Sequence, residues 1–196
     1  MREFVLATTN RDKVREVRFL LRDRPVVMRT LADLPPIAEP EETGDTFAVN
    51  ARLKARYYAA AISGLVVSED SGLEIDALHG APGVRSARYL SPSATYPERF
   101  TAILSQLRGR PDTDRTARFV CAVAVADGPQ VVFEARGTVE GRIADRPRGD
   151  GGFGYDPIFF STELGCTLAE AGDAKAAVSH RGRAFAALAR WLDDLK

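Results

Sequence analysis

The stretch Val66-Val67-Ser68-Glu69-Asp70-Ser71-Gly72-Leu73 constrains this chain more than any other. Its β-branched apolar run reads as a buried strand that breaks off into two adjacent carboxylates, a hydroxyl and a glycine. Apolar alternation resumes at Leu73, Ile75 and Ala77. Carboxylates placed at such a strand edge can meet a metal ion or a water.

Glu3–Ala7 reads as a first strand. Thr8-Thr9-Asn10 follow, and Val14, Val17, Leu20 and Leu21 then recur at helical spacing, with Thr9 or Asn10 as N-cap. The simpler reading of this turn is a cap and nothing more. The functional reading adds Lys13 in the first turn: hydroxyls, an amide, free backbone N–H groups and an ammonium then share a positive helix end that suits a phosphate. No glycine-rich Walker pattern is present.

Val26-Val27-Met28 reads as a second strand. The acidic turn Glu41-Glu42-Thr43-Gly44-Asp45-Thr46 leads into a helix capped by Asp45 or Thr46. On that helix Phe47, Asn50, Lys54 and Tyr57 share a stripe. Such a stripe is usually a solvent face, yet here it precedes Glu69-Asp70 by one connection, so Asn50 and Lys54 could face a ligand. Pro97 opens a helix with Phe100, Ile103, Leu104 and Leu107 as core. Ala117–Ala126, the Asp127-Gly128-Pro129 turn and Val131–Val139 read as an antiparallel hairpin.

Two loops carry the remaining unusual chemistry. His79 to Tyr89 holds two glycines and a proline within four residues, then Arg85 and Arg88; His79 itself reads as a bystander. Arg146–Pro157 places four glycines in six positions beside Phe153 and Tyr155, so its backbone can lie against a flat ligand and its rings can stack on a base; the simpler reading is a flexible hairpin loop, which the aromatics and the Asp-Pro stop disfavour. Toward the end, Ser179 is a natural cap. His180, Arg181 and Arg183 then oppose the dipole of the helix they begin, which makes a bound anion the economical explanation.

Charge balance narrows the partners. The 27 basic and 27 acidic residues among 196 cancel, so no net field argues for nucleic acid or a membrane surface. No apolar run approaches the ~20 residues of a membrane span, and no basic stretch followed by a long apolar segment opens the chain. Two widely spaced cysteines form no disulfide framework, and Cys121 reads as a buried small hydrophobe. A cytoplasmic location is expected. With no zinc spacing, reactive-cysteine context or Ser-His-Asp order, metal-assisted attack of water on phosphorus with a carboxylate base is the chemistry that these residues best support.

Six segments, in order, resemble the inosine/xanthosine triphosphate pyrophosphatase family. They are Ala7–Lys13; Glu42-Thr43-Gly44 with Thr46-Phe47 and Asn50-Ala51; Glu69–Leu73; Gly80–Val84 with Ser86–Tyr89; Gly152–Phe159; and Ser179–Gly182. The resemblance runs from about residue 4 to residue 192 and treats residues 1–196 as a single nucleoside triphosphate pyrophosphatase domain of two lobes. It implies an α/β fold with a long, curved mixed sheet, flanking helices and a central substrate cleft.

The implied reaction is Mg²⁺-dependent hydrolysis of dITP, ITP and XTP to monophosphate and pyrophosphate, in a homodimer. By position, Asp70 would be the general base and a metal ligand, with Glu41 or Glu42 as the other acid of the metal site. Thr8, Thr9, Asn10, Arg11, Asp12, Lys13, Asn50, Lys54, Ser71, Lys175, His180 and Arg181 would hold triphosphate and sugar. Phe153, Gly154, Tyr155 and Asp156 would enclose the base.

The chain departs from the family pattern at Glu69, where a second aspartate is usual, at Thr9, where glycine is common, and at Asp173-Ala174, which replaces a pair of glutamates. Two other readings stand beside this one. A Maf-like pyrophosphatase for modified pyrimidine nucleotides is disfavoured by His180-Arg181 and the aromatic loop. A non-catalytic nucleotide binder would not need Asp70.

Overall fold

A computed structural model describes residues 2–195. Their strands form one open mixed sheet in the order β2-β1-β3-β4-β5-β6-β7, with helices packed against it. Strand β1 (Arg2–Leu6) pairs in parallel with β2 (Val26–Thr30) and with β3 (Leu65–Ile75). Parallel pairing requires a crossover, supplied between β1 and β2 by helix α1 (Arg11–Leu20) and before β3 by helix α2 (Phe47–Ala59). Strands β4 (Thr116–Asp127) and β5 (Gln130–Ile143) meet at a tight turn where Gly128 has φ +54°, so the hairpin forms where expected. Two short antiparallel additions, β6 (Phe159–Ser161) and β7 (Cys166–Thr167), complete the sheet.

Strand β3 does not stop at the acids. It runs unbroken through Glu69 and Asp70 to Ile75, which corrects the expected strand end. Burying two carboxylates in mid-strand is tolerable only with cations on both faces, and those cations come from distant parts of the chain.

The contacts divide the chain into two compact units. The first takes the chain up to Asp70, Cys121–Gly137 and the chain from His180 onward; the second takes Ser71–Val120 and Thr138–Ser179. In the first unit α1 and helix α5 (His180–Asp194) pack on one sheet face, where Val17, Phe185 and Leu188 meet Phe4, Leu6, Val67 and Val123. The second unit has its own core around Leu73, Ile75, Ile103, Ile143 and Phe159, with helix α3 (Tyr96–Gln106) contributing Phe100 and Ile103. Thr95 caps α3 and exchanges hydrogen bonds with Glu98, so the helix begins one residue before Pro97. The short helix α4 (Lys175–Val178) precedes Ser179. Among the described residues no helix is long and apolar enough to cross a membrane.

Candidate active site

Side chains alternate across a strand, so Glu69 and Asp70 point to opposite faces of β3. Glu69 turns toward α1 and α5, and Asp70 toward α2. The two acids therefore belong to separate networks, though they are neighbours in sequence.

On the α2 face, Thr46 caps the helix through a hydrogen bond to the Val49 N–H at 3.2 Å. This sets the helix phase so that Asn50 and Lys54, one turn apart, both reach Asp70. The Asn50 Nδ2 donates to Asp70 Oδ2 at 3.1 Å, and the Lys54 ammonium lies 3.6 Å from Asp70 Oδ1. Lys54 also donates to Glu42 Oε1 at 2.5 Å. One buried ammonium thus links the acid turn to the strand acid. Glu41 is exposed, whereas Glu42 is partly buried against Lys54. Tyr57, expected on the same stripe, is 41% exposed and stands apart from this group.

Burial pushes the Asp70 carboxyl above its ordinary value, with Glu42 acting the same way; Lys54, Lys13 and the Asn50 amide oppose the rise. For Lys54, burial works against the charged form, but Asp70 and Glu42 outweigh it and hold the ammonium above its usual range. Each charge in this pair raises the proton affinity of its site for a different reason. Asp70 lacks water, and Lys54 has anionic company.

On the other face, Glu69 Oε1 accepts from Arg181 Nε at 2.7 Å, and Lys13 Nζ lies 3.4 Å from Glu69 Oε2. Arg181, 1% exposed, also donates from Nη1 to Glu16 Oε2 at 2.6 Å. The Cys121 thiol donates to Glu69 Oε2 at 3.4 Å, and burial, reinforced by Glu69, pushes that thiol well up. Cys121 is buried as expected, but it is a hydrogen-bond partner as well as a small hydrophobe. Asn10 is the α1 cap: its Oδ1 accepts from the N–H groups of Asp12 and Lys13 at 2.9 and 3.1 Å. Thr8 Oγ1 accepts from the Asn10 N–H, Thr9 and Arg11 are exposed, and Asp12 pairs with Arg15 at the surface. His180, 4% exposed, opens α5 beside Arg181.

The second unit holds the glycine loop. Asp156 Oδ2 accepts from the Phe153 N–H at 2.8 Å and from Lys175 Nζ at 2.7 Å, and the same ammonium lies 5.4 Å from the Phe153 ring centroid. Gly152 has φ +69°, and a Cβ there would collide with Asp156 Oδ2 and lie 3.1 Å from Lys175 Nζ. The loop therefore needs glycine both for its backbone angle and for its closeness to this ion pair. Of the two rings expected to stack on a base, Phe153 keeps accessible surface, while Tyr155 is 2% exposed. Tyr155 packs edge-on against Tyr96 at 5.3 Å and donates its hydroxyl to the Ser86 carbonyl at 2.8 Å. Gly154 lies near the Tyr96 hydroxyl, and Ser71, partly buried, follows Asp70 along β3.

Within the first unit the structure gathers Asn50, Lys54 and Glu42 around Asp70 on one face of β3, and Lys13 and Arg181 around Glu69 on the other; within the second it brings together Phe153, Asp156 and Lys175. Arg85 and Arg88 are exposed. The sequence reading missed Glu16 as the partner of Arg181 and Glu69 as the acid that gathers Lys13 and Arg181. Glu16 lies three residues after Lys13, on the same helical face, and that spacing was the available signal.

Comparison with known proteins identifies the family. The Ham1 family model matches residues 4–191. The dITP/XTP pyrophosphatase of Shouchella clausii is 45% identical over 100% of this chain and 98% of its own length. That of Bacillus subtilis is 42% identical over 98% of each chain. The structure of a HAM1 protein from Coxiella burnetii superposes with a TM-score of 0.88 at 40% identity, covering both chains fully. The Staphylococcus aureus Ham1 protein gives 0.87 at 36% identity, with the same coverage. A family model spanning nearly the whole chain, together with relatives this similar from end to end, places the chain in the Ham1 family.

Proposed function

We propose that this chain hydrolyses non-standard purine nucleoside triphosphates, namely dITP, ITP and XTP, to the monophosphate and pyrophosphate, as a cytoplasmic housekeeping enzyme. The observation that carries the reading is Asp70: a buried carboxylate held by Lys54 and Asn50, on a chain whose full-length relatives are named dITP/XTP pyrophosphatases. A protein that only bound nucleotides would not need an acid beside the scissile phosphate.

In this reading Asp70 accepts the proton of a water as its oxygen attacks the α-phosphorus and pyrophosphate departs with the bridging oxygen. Asn50 and Lys54 fix the carboxylate for that task. Lys13 and Arg181, gathered by Glu69, direct positive potential toward the triphosphate. Thr8, Thr9, Asn10, Arg11, Asp12, Ser71 and His180 belong to the same phosphate and sugar contacts. Phe153, Gly154 and Asp156 enclose the base, and Lys175, paired with Asp156, belongs to the triphosphate and sugar contacts; Tyr155 supports the loop from the core.

The residues fit Mg²⁺. Among the described residues no three His, Cys, Asp or Glu side chains gather as a complete cation cage. Mg²⁺, however, is commonly held by one or two carboxylates plus substrate phosphates. Asp70 and Glu42 are two such oxygen donors already sharing a cation, the Lys54 ammonium. On the α2 face two carboxylates, Glu42 and Asp70, face one cation, Lys54. When bound, Mg²⁺ would neutralise phosphate charge and polarise the phosphoryl oxygens. Of the two candidate turn acids, the contact with Lys54 favours Glu42 over exposed Glu41.

A homodimer is part of the proposal. Val49 and Tyr57 on α2, 37% and 41% exposed, give the first unit an apolar surface that a second copy could cover, and sedimentation velocity tests it. For the activity, pyrophosphate release from ITP with Mg²⁺ should fall about 10²-fold in kcat for Asp70→Asn. A fully active Asp70→Asn would contradict the assigned base. Lys175→Ala should mainly raise KM, and unchanged kinetics would remove Lys175 from the substrate contacts.

A further inference from the structure

Asn50 was expected to touch substrate, but its hydrogen bonds give it other work. Its side chain is fully buried. Oδ1 accepts from the Gly44 N–H at 2.8 Å, while Nδ2 donates both to the Gly44 carbonyl at 3.3 Å and to Asp70 Oδ2 at 3.1 Å. A carboxamide has two N–H bonds, and both are used here, so Asn50 keeps no donor for a nucleotide. Gly44 belongs to the turn that carries Glu42, and Asp70 lies on β3, so one amide ties the acid turn to the strand acid.

Gly44 carries an independent mark of the same contact. A Cβ at Gly44 would sit 2.6 Å from Asn50 Oδ1 and 2.6 Å from Val49 Cγ1. The two-point clamp on the backbone therefore requires a residue without a side chain at that position.

We propose that Asn50 is a positioning residue for the hydrolysis, which locks the Gly44 turn and its Glu42 in register with Asp70 and orients the Asp70 carboxylate without contacting substrate. The inference rests on the reading of Asp70 as the base. Donation from Asn50 engages Oδ2 and leaves Oδ1 on the Lys54 side, so the carboxylate is held from two directions. A shift of the turn would move Glu42 and Asp70 relative to each other. Misplacement of catalytic groups by about an ångström can cost ~10²-fold in rate.

The test compares wild type, Asn50→Asp, Asp70→Asn and the double variant in pyrophosphate release from ITP, with melting temperatures recorded alongside. Asn50→Asp keeps the size and the acceptor for the Gly44 N–H but loses both donations. Its kcat should fall about 10- to 100-fold while KM stays within about threefold. In the Asp70→Asn background the same change should lower kcat by a clearly smaller factor, because the part of its action that runs through Asp70 is already gone. A merely structural role or a substrate contact would lower activity by the same factor in both backgrounds, and that result would overturn the proposal. So would a raised KM with kcat preserved.

Gly44→Ala supplies a second route that leaves every charged side chain in place. It should lower kcat with KM held, and it decides the matter if Asn50→Asp fails to fold. Wild-type kinetics in Gly44→Ala would overturn the clamp. Absence of ITP turnover in the wild type would instead reject the pyrophosphatase reading from which the clamp takes its purpose.

Discussion

Glu69 is surrounded by more positive charge than Asp70, and its contacts make it the anchor of the α1–β3–α5 contact. Arg181 and Glu69 are 2% and 0% exposed in their side chains, so removing the acid takes away the anion 2.7 Å from the buried guanidinium. Breaking a buried pair in this way costs ~3–5 kcal/mol, and Glu16 keeps the expected value near the lower figure. Glu69→Gln should therefore lower the melting temperature by about 6–12 °C in a chain of this size. A change of under ~2 °C would mean that Glu69 is not the anchor.

Asp70 should behave oppositely. Its folded proton affinity is raised above the ordinary 3.8, chiefly by burial. An acid shifted in that direction contributes stability that is full below its unfolded value and is lost as pH rises through the folded one. At neutral pH the ionised group therefore carries a cost that Asp70→Asn removes, while Glu42 still holds Lys54. With chelator present, Asp70→Asn should unfold at the same or a higher urea concentration than wild type at pH 7, and its advantage should shrink toward pH 4. A variant clearly weaker at pH 7 would show that the acid stabilises the fold.

At the scale of elements, the helices and the hairpin were legible because their signals are local. Asn10 and Thr46 are caps recognisable from three or four residues, and both cap; Thr95, which caps α3, was passed over for Pro97. Strand β3 was misjudged at Glu69, since its neutralising partners Lys13, Lys54 and Arg181 lie up to 112 residues away, and no local pattern announces them. The short β6, β7 and α4, two to four residues each, carry too few positions to show a period.

The site was half legible for the same reason. Residue types and spacing pointed to Asp70 and Lys54, and the resemblance to Lys175, but whether Asn50 faces a ligand or a backbone depends on where Gly44 lies. The glycine loop yields an element-scale prediction. In Gly152→Ala the left-handed backbone alone costs about 1–2 kcal/mol, and the new methyl would press on Asp156 and Lys175. If the loop holds the base, KM for ITP should rise roughly tenfold with kcat little changed, as steady-state kinetics would show. An unchanged KM would remove the loop from the base site.

For the whole molecule, the balanced charge leaves no general attraction for polyanions, so affinity for a triphosphate must come from local groups. The groups proposed for that task are distributed along the chain: the Thr8–Lys13 turn, the acid turn before α2, mid-β3, the glycine loop and the start of α5. Full-length similarity to dITP/XTP pyrophosphatases fits that distribution, because no shorter piece of the chain contains the set. A buried donor matched to a 6-oxo group would be left unpaired by adenine, a penalty that can reach 10⁴–10⁵-fold in discrimination.

The most direct measurement is pyrophosphate release by the purified chain with Mg²⁺ from ITP, XTP, GTP and ATP in parallel. The account predicts that kcat/KM for ITP and XTP exceeds that for ATP by at least about 10²-fold. Equal turnover of ATP would contradict it.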